Sequence, residues 1–282
     1  MGLAMPELPE VESARAAVER GALDRRIAEV DDTDGWVCRP HPPGEIRAAL
    51  VGRTLTGAFR RGKSMWCETS GVGRSRTAGP VLGIHLGMSG HLLVTDARGR
   101  LNEGGDWLGQ RAGRAAERAE VNPVWVRFTV TFTDGGSLRL FDQRRLGRIR
   151  LDPAVQRLGP DAQEIGRREF AERVSRSRAP VKARLLDQSL VAGVGNLLAD
   201  ETLWQAKIAP RRPADELTPA ELNRLLRALH RSAQAAIDQG GVHTGEMIGA
   251  RKTGAHCPRC GAEMQRATVG GRTTYWCPRE QR

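Results

Sequence analysis

The sequence predicts an α+β protein in which a sheet-rich N-terminal half precedes a helical region and a short cysteine-containing tail. Residues 26–150 contain short alternating apolar runs separated by Gly, Asp and Pro, a pattern typical of antiparallel strands. After Pro160 the apolar residues recur every three to four positions, which is typical of helices. We therefore expect domains at residues 5–155, 156–248 and 249–282.

Local patterns predict the individual elements. A leading helix is expected from Leu8 to Gly21, because its apolar residues follow a helical spacing and glycine is common just past a helix end. Asp134, Gly135 and Gly136 predict a hairpin turn between two strand-like runs. The Gly-, Ala- and Arg-rich stretch 98–121 is expected to be an exposed insertion between strands. Further helices are expected at 167–174, 181–190, 197–206 and 219–239.

The charge of the chain favours a polyanionic partner. Its 282 residues include 44 Lys and Arg against 33 Asp and Glu, a formal net charge of +11. Nucleic acid is the leading candidate for such a basic protein. No apolar run approaches the roughly 18 residues of a membrane span, and the N-terminus lacks a signal-peptide pattern. We therefore expect a cytoplasmic protein that does not enter a membrane.

The five cysteines favour a metal site over a disulfide framework. Cys38 and Cys67 stand alone, whereas Cys257, Cys260 and Cys277 fall within the last 26 residues. A Cys-x-x-Cys pair followed by a third cysteine is typical of zinc-binding tails.

Three segments together resemble the formamidopyrimidine-DNA glycosylase and endonuclease VIII family. They are Pro6-Glu-Leu-Pro-Glu-Val-Glu12, the run Asp187-Gln-Ser-Leu-Val-Ala-Gly-Val-Gly-Asn196, and the cysteine tail, with further matches at HLGMSG (85–90), DQRRLG (142–147) and LGPDA (158–162). The resemblance covers the chain from Met5 to its end. It implies an N-terminal β-sandwich, a helix–two-turn–helix domain and a C-terminal zinc-finger-like β-hairpin. It also implies a monomer that excises oxidised bases from damaged double-stranded DNA and cleaves the strand as an abasic-site lyase.

Pro6 is the expected nucleophile. An N-terminal proline is a secondary amine, so its attack on a sugar C1′ gives an iminium cation that acidifies the neighbouring C2′ hydrogen. The resemblance assigns protonation of the deoxyribose ring oxygen to Glu7. Since an amide nitrogen cannot attack, we expect translation to start at Met5 and Met5 to be removed. The plainer alternative is that Pro6 and Glu7 only begin a helix.

Other site residues come from the matched motifs. Lys63 corresponds to a family lysine on a β-hairpin that meets the DNA phosphate and the active site; the alternative is a solvated lysine. Met88 is expected to fill the space of the everted nucleotide, while Arg144 and Leu146 act on the opposite strand. Leu146 stands where the family has phenylalanine, and leucine stacks poorly on a base. The alternative for Met88 and Leu146 is core packing.

The helical region and the hairpin supply the remaining phosphate contacts. Asn196 follows Gly193-Val-Gly195, so it can cap the next helix, whose free N–H groups can bind phosphate. By resemblance, Asn196 and Lys182 hold the phosphate nearest the lesion, and Arg272 at a hairpin tip reaches the same phosphates. The alternative for Arg272 is an unpaired surface arginine.

The expected zinc ligands are Cys257, Cys260, Cys277 and Glu280. By resemblance, a fourth cysteine belongs at position 280, where this chain has glutamate. Carboxylate can bind zinc, and His256 is another candidate for the fourth ligand. A zinc-free hairpin held by packing around Tyr275 and Trp276 is the alternative. No catalytic metal is expected.

The expected substrates are oxidised pyrimidines, formamidopyrimidines or hydantoins in preference to 8-oxoguanine. Only 15 residues separate Gly241 from Cys257, whereas family members that cap an everted 8-oxoguanine carry a longer loop there. Two other functions compete with this interpretation: a non-catalytic damaged-DNA binder of the same fold, and an RNA-binding protein that uses only the helical module.

Overall fold

The computed structural model describes residues 6–71, 78–105 and 123–282. Their contacts divide them into two compact units. The first contains Pro6 and Glu10–Val155, and the second contains Glu7–Pro9 and Gln156–Arg282. Residues 249–282 lie in the second unit together with the helices, so the tail is not a separate compact body.

The elements confirm the predicted α+β class. The helices are α1 (Leu8–Gly21), α2 (Glu45–Leu50), α3 (Arg167–Ser175), α4 (Val181–Leu186), α5 (Asn196–Ala206) and α6 (Pro219–Gln239). The strands are β1 (Ile27–Asp31), β2 (Leu55–Arg61), β3 (Ser64–Thr69), β4 (Leu82–His85), β5 (His91–Thr95), β6 (Leu101–Gly105), β7 (Val126–Phe132), β8 (Ser137–Phe141), β9 (Arg148–Leu151), β10 (Gln265–Val269) and β11 (Arg272–Trp276). Short 3₁₀ turns occupy Pro123–Trp125, Val155–Arg157, Ala214–Glu216, Val242–Thr244 and Ile248–Ala250.

The first unit is built from two antiparallel sheets. One has the strand order β1-β7-β8-β5-β6, and the other has the order β2-β3-β4-β9. Both sheets contribute to one apolar core, with Val130 and Leu92 from the first sheet and Met65 and Ile84 from the second. Helix α1 adds Val11 and other apolar residues to the same core. Burying alternate residues of two facing sheets is what stabilises a sandwich.

Two loop predictions in this unit have different outcomes. The turn at Asp134–Gly136 joins β7 to β8 as predicted, and Gly135 has the positive φ of 88° that favours glycine. The predicted insertion 98–121 is wrong in part, because Leu101–Gly105 forms strand β6 and pairs with β5. Backbone pairing with a neighbouring strand overrides the weak local preference of this glycine-rich segment. The remainder, 106–121, falls outside the described residues.

Two features position the helices of the second unit. Helix α6 has the predicted bounds because Thr218 and Glu221 form a reciprocal capping box, Pro219 begins the helix and Gly240 ends it with φ 91°. Helix α4 is shorter than the predicted 181–190. It ends at Leu186 because the Asp187 carboxylate accepts the N–H of Ser189 at 2.9 Å and forms a turn.

Candidate functional site

Glu7 is fixed by the beginning of helix α5. One carboxylate oxygen accepts the backbone N–H groups of Gly195 and Leu198, both at 3.0 Å, and the other accepts that of Leu197 at 2.8 Å. The side chain is 1% exposed. An ionised carboxylate accepts hydrogen bonds and donates none, so three N–H donors at a helix N-terminus fit its charged form.

This arrangement corrects two expectations. The backbone N–H groups of Gly195, Leu197 and Leu198 are not free for phosphate, because they donate to Glu7. Asn196 does not cap the helix either; Gly195 is the N-cap residue and no side chain of the α5 start itself caps it. The sequence offered no signal for this, since Glu7 and Gly195 are 188 positions apart. A capping carboxylate from a distant segment can be found only in the tertiary structure.

Lys182 is buried beneath Asn196. Its side chain has no exposed area, and its ammonium lies 2.6 Å from Asp200 Oδ1, 2.7 Å from Asn196 Oδ1 and 2.7 Å from Thr274 Oγ1. The predicted direct phosphate contact of Lys182 is therefore wrong for this structure, because three protein oxygens surround the ammonium. Burial lowers the pKa of Lys182, and the charge of Asp200 opposes that shift.

Asp200 joins this network to the C-terminal hairpin. Its second oxygen accepts Arg251 Nε at 2.9 Å, and Arg251 Nη2 donates to the Thr273 carbonyl at 3.2 Å. Asn196 Nδ2 donates to the same carbonyl at 3.1 Å. The network thus fixes Asn196 beside the strand that begins with Arg272.

Arg272 stands at the tip of the β10–β11 hairpin, as predicted. It follows Gly270 and Gly271, which have φ values of 59° and 71°, and it is exposed. Its own carbonyl accepts the Thr274 hydroxyl at 2.9 Å. Sequence reasoning missed Asp200, Arg251 and Thr274. An available signal was the pair of acids at positions 200 and 201, inside a predicted helix that is otherwise rich in apolar residues.

In the first unit, the Met88 turn and the 142–147 loop lie against each other. A Cβ on Gly87 would lie 2.4 Å from the Leu146 backbone carbon, so only glycine fits there. Asp142 is fully buried and accepts the backbone N–H of Gly147 at 2.6 Å and the Ser89 hydroxyl at 3.1 Å. One carboxylate therefore fixes both loops.

The predicted wedge residues occupy the surface of these loops. Arg144 is exposed, and its backbone N–H donates to Asp142 at 3.1 Å. Met88 and Leu146 are each partly exposed. Neither side chain is therefore fully packed in the core, which was the plainer alternative for both. Lys63 lies in the turn between β2 and β3, as predicted, and is half-buried.

His85 is a residue that sequence reasoning missed although it begins the HLGMSG motif. Its Nδ1 lies 3.0 Å from the Gly87 backbone N–H, which leaves Nε2 to carry the proton. Desolvation and repulsion from Lys63, Arg148 and Arg150 lower the pKa of His85. The ring is therefore neutral at physiological pH and presents an N–H donor among basic side chains.

Three cysteines of the tail lie close enough to share a metal ion. The sulfurs of Cys257, Cys260 and Cys277 all lie within 4.8 Å of one another. Zinc–thiolate bonds of about 2.3 Å place tetrahedral sulfurs about 3.8 Å apart, so these three residues fit zinc. Although burial opposes it, hydrogen bonds led by the Trp204 indole N–H lower the pKa of Cys257 to about 7. This sulfur therefore has thiolate character near neutral pH.

Glu280 is not in this group, so its prediction as a ligand is wrong for this structure. Its carboxylate instead lies 3.1 Å from Lys207 Nζ and 3.6 Å from Arg259 Nη1. Two cations attract the carboxylate away from the sulfurs. His256 is also absent from the metal-binding group, and its backbone pairs with Glu263.

Comparisons with known proteins agree with this architecture. A model of the formamidopyrimidine-DNA glycosylase N-terminal domain matches residues 5–149, and one of the corresponding H2TH domain matches residues 158–246. The formamidopyrimidine-DNA glycosylase of a Nocardioides species is 34% identical over 97% of this chain and 93% of its own length. That of Kineococcus radiotolerans is 33% identical over 97% of this chain and 96% of its own length.

Solved structures give the same result. The Lactococcus lactis Fpg bound to DNA containing an abasic site is similar with a TM-score of 0.76 and 29% identity, covering 98% of this chain and 99% of that one. The chain therefore belongs to the formamidopyrimidine-DNA glycosylase family, whose members are DNA glycosylases with AP-lyase activity. Across the described ranges, no helix combines the length and apolar character needed to cross a bilayer.

Proposed function

We propose that this protein excises oxidised bases from duplex DNA and cleaves the strand at the resulting abasic site through an amine at Pro6. The observation that carries the proposal is the fixed carboxylate of Glu7, which directly follows Pro6 and accepts three N–H groups of helix α5. A rigid proton-transfer group beside a secondary amine is what this chemistry requires.

The amine must be generated by a start at Met5. With residues 1–5 attached, the Pro6 nitrogen is an amide and has no available lone pair. The match to the family's N-terminal domain begins at residue 5, which supports Met5 as the natural initiator. Removal of Met5 then leaves Pro6 as the N-terminal residue.

The chemistry proceeds by addition and elimination. The Pro6 nitrogen bonds to C1′ as the glycosidic bond breaks, and the base departs with the bonding electron pair. Glu7 accepts the proton lost by nitrogen and delivers it to the sugar ring oxygen as the ring opens to an iminium. Loss of a C2′ proton expels the 3′ phosphate, a second elimination expels the 5′ phosphate, and water hydrolyses the remaining iminium to release Pro6.

Phosphate binding falls to side chains from both units. We assign Lys63 and His85 in the first unit and Asn196 and Arg272 in the second. Lys182 takes a positioning role, because its ammonium is buried and holds Asn196 and the hairpin. Affinity should fall steeply with salt, since each Lys or Arg contact with phosphate releases counterions.

The gap left by the everted nucleotide is assigned to the two adjoining loops. Met88 enters the vacated space, and Arg144 and Leu146 contact the opposite strand. The hydrogen bonds from the loop backbone to Asp142 support this role, because a wedge must hold its shape while it unstacks a base pair.

The protein is proposed to prefer oxidised pyrimidines, formamidopyrimidines or hydantoins over 8-oxoguanine as substrates. The short segment between Gly241 and Cys257 is folded against α5, where Glu201 accepts the Met247 backbone N–H at 2.9 Å. Met247 itself is fully buried. The segment therefore has little free length with which to enclose a large everted purine.

A bound zinc ion would be held by Cys257, Cys260 and Cys277 and would stiffen the hairpin that carries Arg272. The ion would have a structural role only. We also propose that the protein acts as a monomer, because each unit encloses its own apolar core.

Borohydride trapping tests the amine mechanism. The chain beginning at Pro6 and the chain retaining residues 1–5 are each incubated with a duplex containing one abasic site, and the iminium is reduced to a stable cross-link. We expect cross-linking only for the chain that begins at Pro6. In a separate assay without borohydride, the same chain should cleave duplexes that carry a panel of lesions. Equal trapping by both chains would refute the role of the Pro6 amine.

The second candidate function is non-catalytic binding of damaged DNA, and it depends on residues 1–5. If the natural protein retains them, Pro6 is blocked and the protein is a non-catalytic binder of damaged DNA. Sequencing the N-terminus of the natural product separates the two possibilities.

A further inference from the structure

The loop between β1 and α2 carries a half-exposed tryptophan with two arginines close to its ring. Trp36 is 52% exposed, which is unusual among the large apolar side chains of the described ranges. The Arg39 guanidinium carbon lies 3.8 Å from the centroid of its ring, and that of Arg148 lies 5.8 Å away. Cations near the indole stabilise its position while half of the side chain stays in solvent.

The Trp36 loop is tied to the 142–147 loop. Asp34 accepts the Trp36 backbone N–H at 3.1 Å, and the same carboxylate binds Arg145 with N–O distances of 2.7 and 3.0 Å. The Val37 carbonyl accepts the Ile149 N–H at 3.0 Å. Trp36 is therefore held beside the loop that carries Arg144.

The arginines around Trp36 carry uncompensated positive charge. Asp34 is already paired with Arg145 and lies 3.8 Å from Arg127. In the part of the chain that the structure describes, Arg39 and Arg148 form no ion pair with a carboxylate; Arg148 donates instead to the Gly147 carbonyl at 2.6 Å. Desolvation and repulsion from Arg39 and Arg150 lower the pKa of Arg148, as expected where cations gather.

An exposed indole among unneutralised guanidinium groups fits nucleic acid better than a protein or a lipid surface. Bases and sugars present flat or apolar faces for an aromatic ring, and phosphates present the charges that arginine recognises. A lone exposed aromatic residue needs no explanation. Trp36 differs from such a residue because it is rigidly linked to the 142–147 loop and is surrounded by surplus positive charge. Both features indicate a contact with DNA.

We infer that Trp36, Arg39 and Arg148 form an additional DNA contact on the strand opposite the lesion. The indole packs on a base or deoxyribose, and the two arginines contact flanking phosphates. The inference rests on the proposed function, which places the 142–147 loop against that strand. Trp36 would also supply, from the neighbouring loop, the aromatic face that Leu146 lacks for stacking on a base.

Binding to a duplex containing a tetrahydrofuran abasic analogue tests the contact, since this probe cannot be processed. We expect Trp36→Ala to raise Kd about 5- to 100-fold, because base–aromatic stacking has that range of effect. Trp36→Phe should stay within about threefold of the unchanged protein, and Trp36→Leu should resemble Trp36→Ala. Thermal melting confirms that each variant is folded.

Charge is tested separately. Arg39→Gln and Arg148→Gln should each lower the slope of log Kd against log salt by about one, because each removes one phosphate contact. Arg100→Gln is the matched control. Arg100 is exposed and paired with Asp96, so its loss should leave the slope unchanged. Equal slopes for all three variants would overturn the charge assignment.

A photocross-link locates the ring directly. Duplexes with 5-iodouracil at successive positions of either strand are irradiated with the protein, and cross-linked peptides are identified by mass spectrometry. We expect Trp36 to cross-link to the strand opposite the lesion. Absence of Trp36 adducts, together with unchanged Kd for Trp36→Ala, overturns the inference.

Borohydride trapping distinguishes a failure of this inference from a failure of the proposed lyase function. Borohydride cross-linking of the chain that begins at Pro6, at saturating protein, reports the amine chemistry and should be unchanged in Trp36→Ala. If trapping succeeds and Trp36 has no effect on Kd, only this inference fails. If the unaltered protein binds DNA through Trp36 but is never trapped, the proposed lyase function fails instead.

Discussion

The carboxylate of Glu7 and the backbone of Gly195 are in such close contact that position 195 has no room for a side chain. The Gly195 N–H donates to Glu7 at 3.0 Å, and a Cβ placed on residue 195 would lie 2.2 Å from the Glu7 carboxyl carbon. The φ of Gly195 is −116°, which any residue adopts, so the requirement for glycine is a matter of space.

We predict that Gly195→Ala lowers abasic-site cleavage about 100-fold, because the methyl group displaces the Glu7 carboxylate by about an ångström. Single-turnover cleavage is the measurement. Gly166→Ala is the matched control. Gly166 is also the N-cap residue of a helix in the same unit, but no atom lies within 4 Å of its added Cβ. Wild-type cleavage by Gly195→Ala would show that the position of Glu7 is unimportant.

Lys182→Met should destabilise the protein by about 3 kcal/mol. Removing one partner of a buried ion pair leaves the other charge uncompensated, at a cost of about 3 to 5 kcal/mol. We expect the lower end because Arg251 still pairs with Asp200. Urea unfolding measures the change, and Lys252→Met, at an exposed lysine, should stay within about 0.5 kcal/mol. A loss of less than 1 kcal/mol would contradict the buried pairing.

Zinc content should depend on the cysteines and not on Glu280. We expect about one zinc ion per chain, lost in Cys260→Ser and retained in Glu280→Ala, because the Glu280 carboxylate pairs with Lys207 and Arg259. Elemental analysis of the purified proteins is the measurement. Cys67→Ala, which removes a buried core thiol of the first unit, should leave the zinc content unchanged. Loss of zinc from Glu280→Ala would restore Glu280 as a ligand.

The capping box of α6 predicts an acid-dependent loss of stability. The Arg212 guanidinium beside Glu221 lowers the pKa of this carboxyl to about 2, from an ordinary value of 4.5. A carboxyl with a depressed folded-state pKa stabilises the protein above pH 4.5, and this contribution is lost as the pH falls to about 2.

We therefore expect the stability difference between the wild type and Glu221→Gln to be full at pH 6 and to shrink steadily below pH 4.5. Urea unfolding at several pH values is the measurement. Glu172→Gln removes an exposed carboxylate paired with Arg168, and its difference should be small throughout. A Glu221 difference that does not vary between pH 6 and 3 would be incompatible with the depressed pKa.

The sequence by itself determined the class of fold, several element bounds and the family. Helix α6 could be placed from Thr218 to Gly240 because its capping signals are local, and the β7–β8 turn because Asp134–Gly136 has the chemistry of a turn. The motifs around Pro6, Asn196 and Cys257 identified the family because their residue types and order are unusual in combination.

The tertiary structure alone decided how charged side chains are partnered. The sequence indicated a phosphate contact for Lys182, a helix cap from Asn196 and a zinc ligand at Glu280. The structure instead pairs Lys182 with Asp200 and Glu280 with Lys207, and it caps α5 with Glu7. Local patterns describe what a residue can do. Which opposite charge or N–H group neutralises it depends on segments up to 191 positions away, and only the folded chain brings those together.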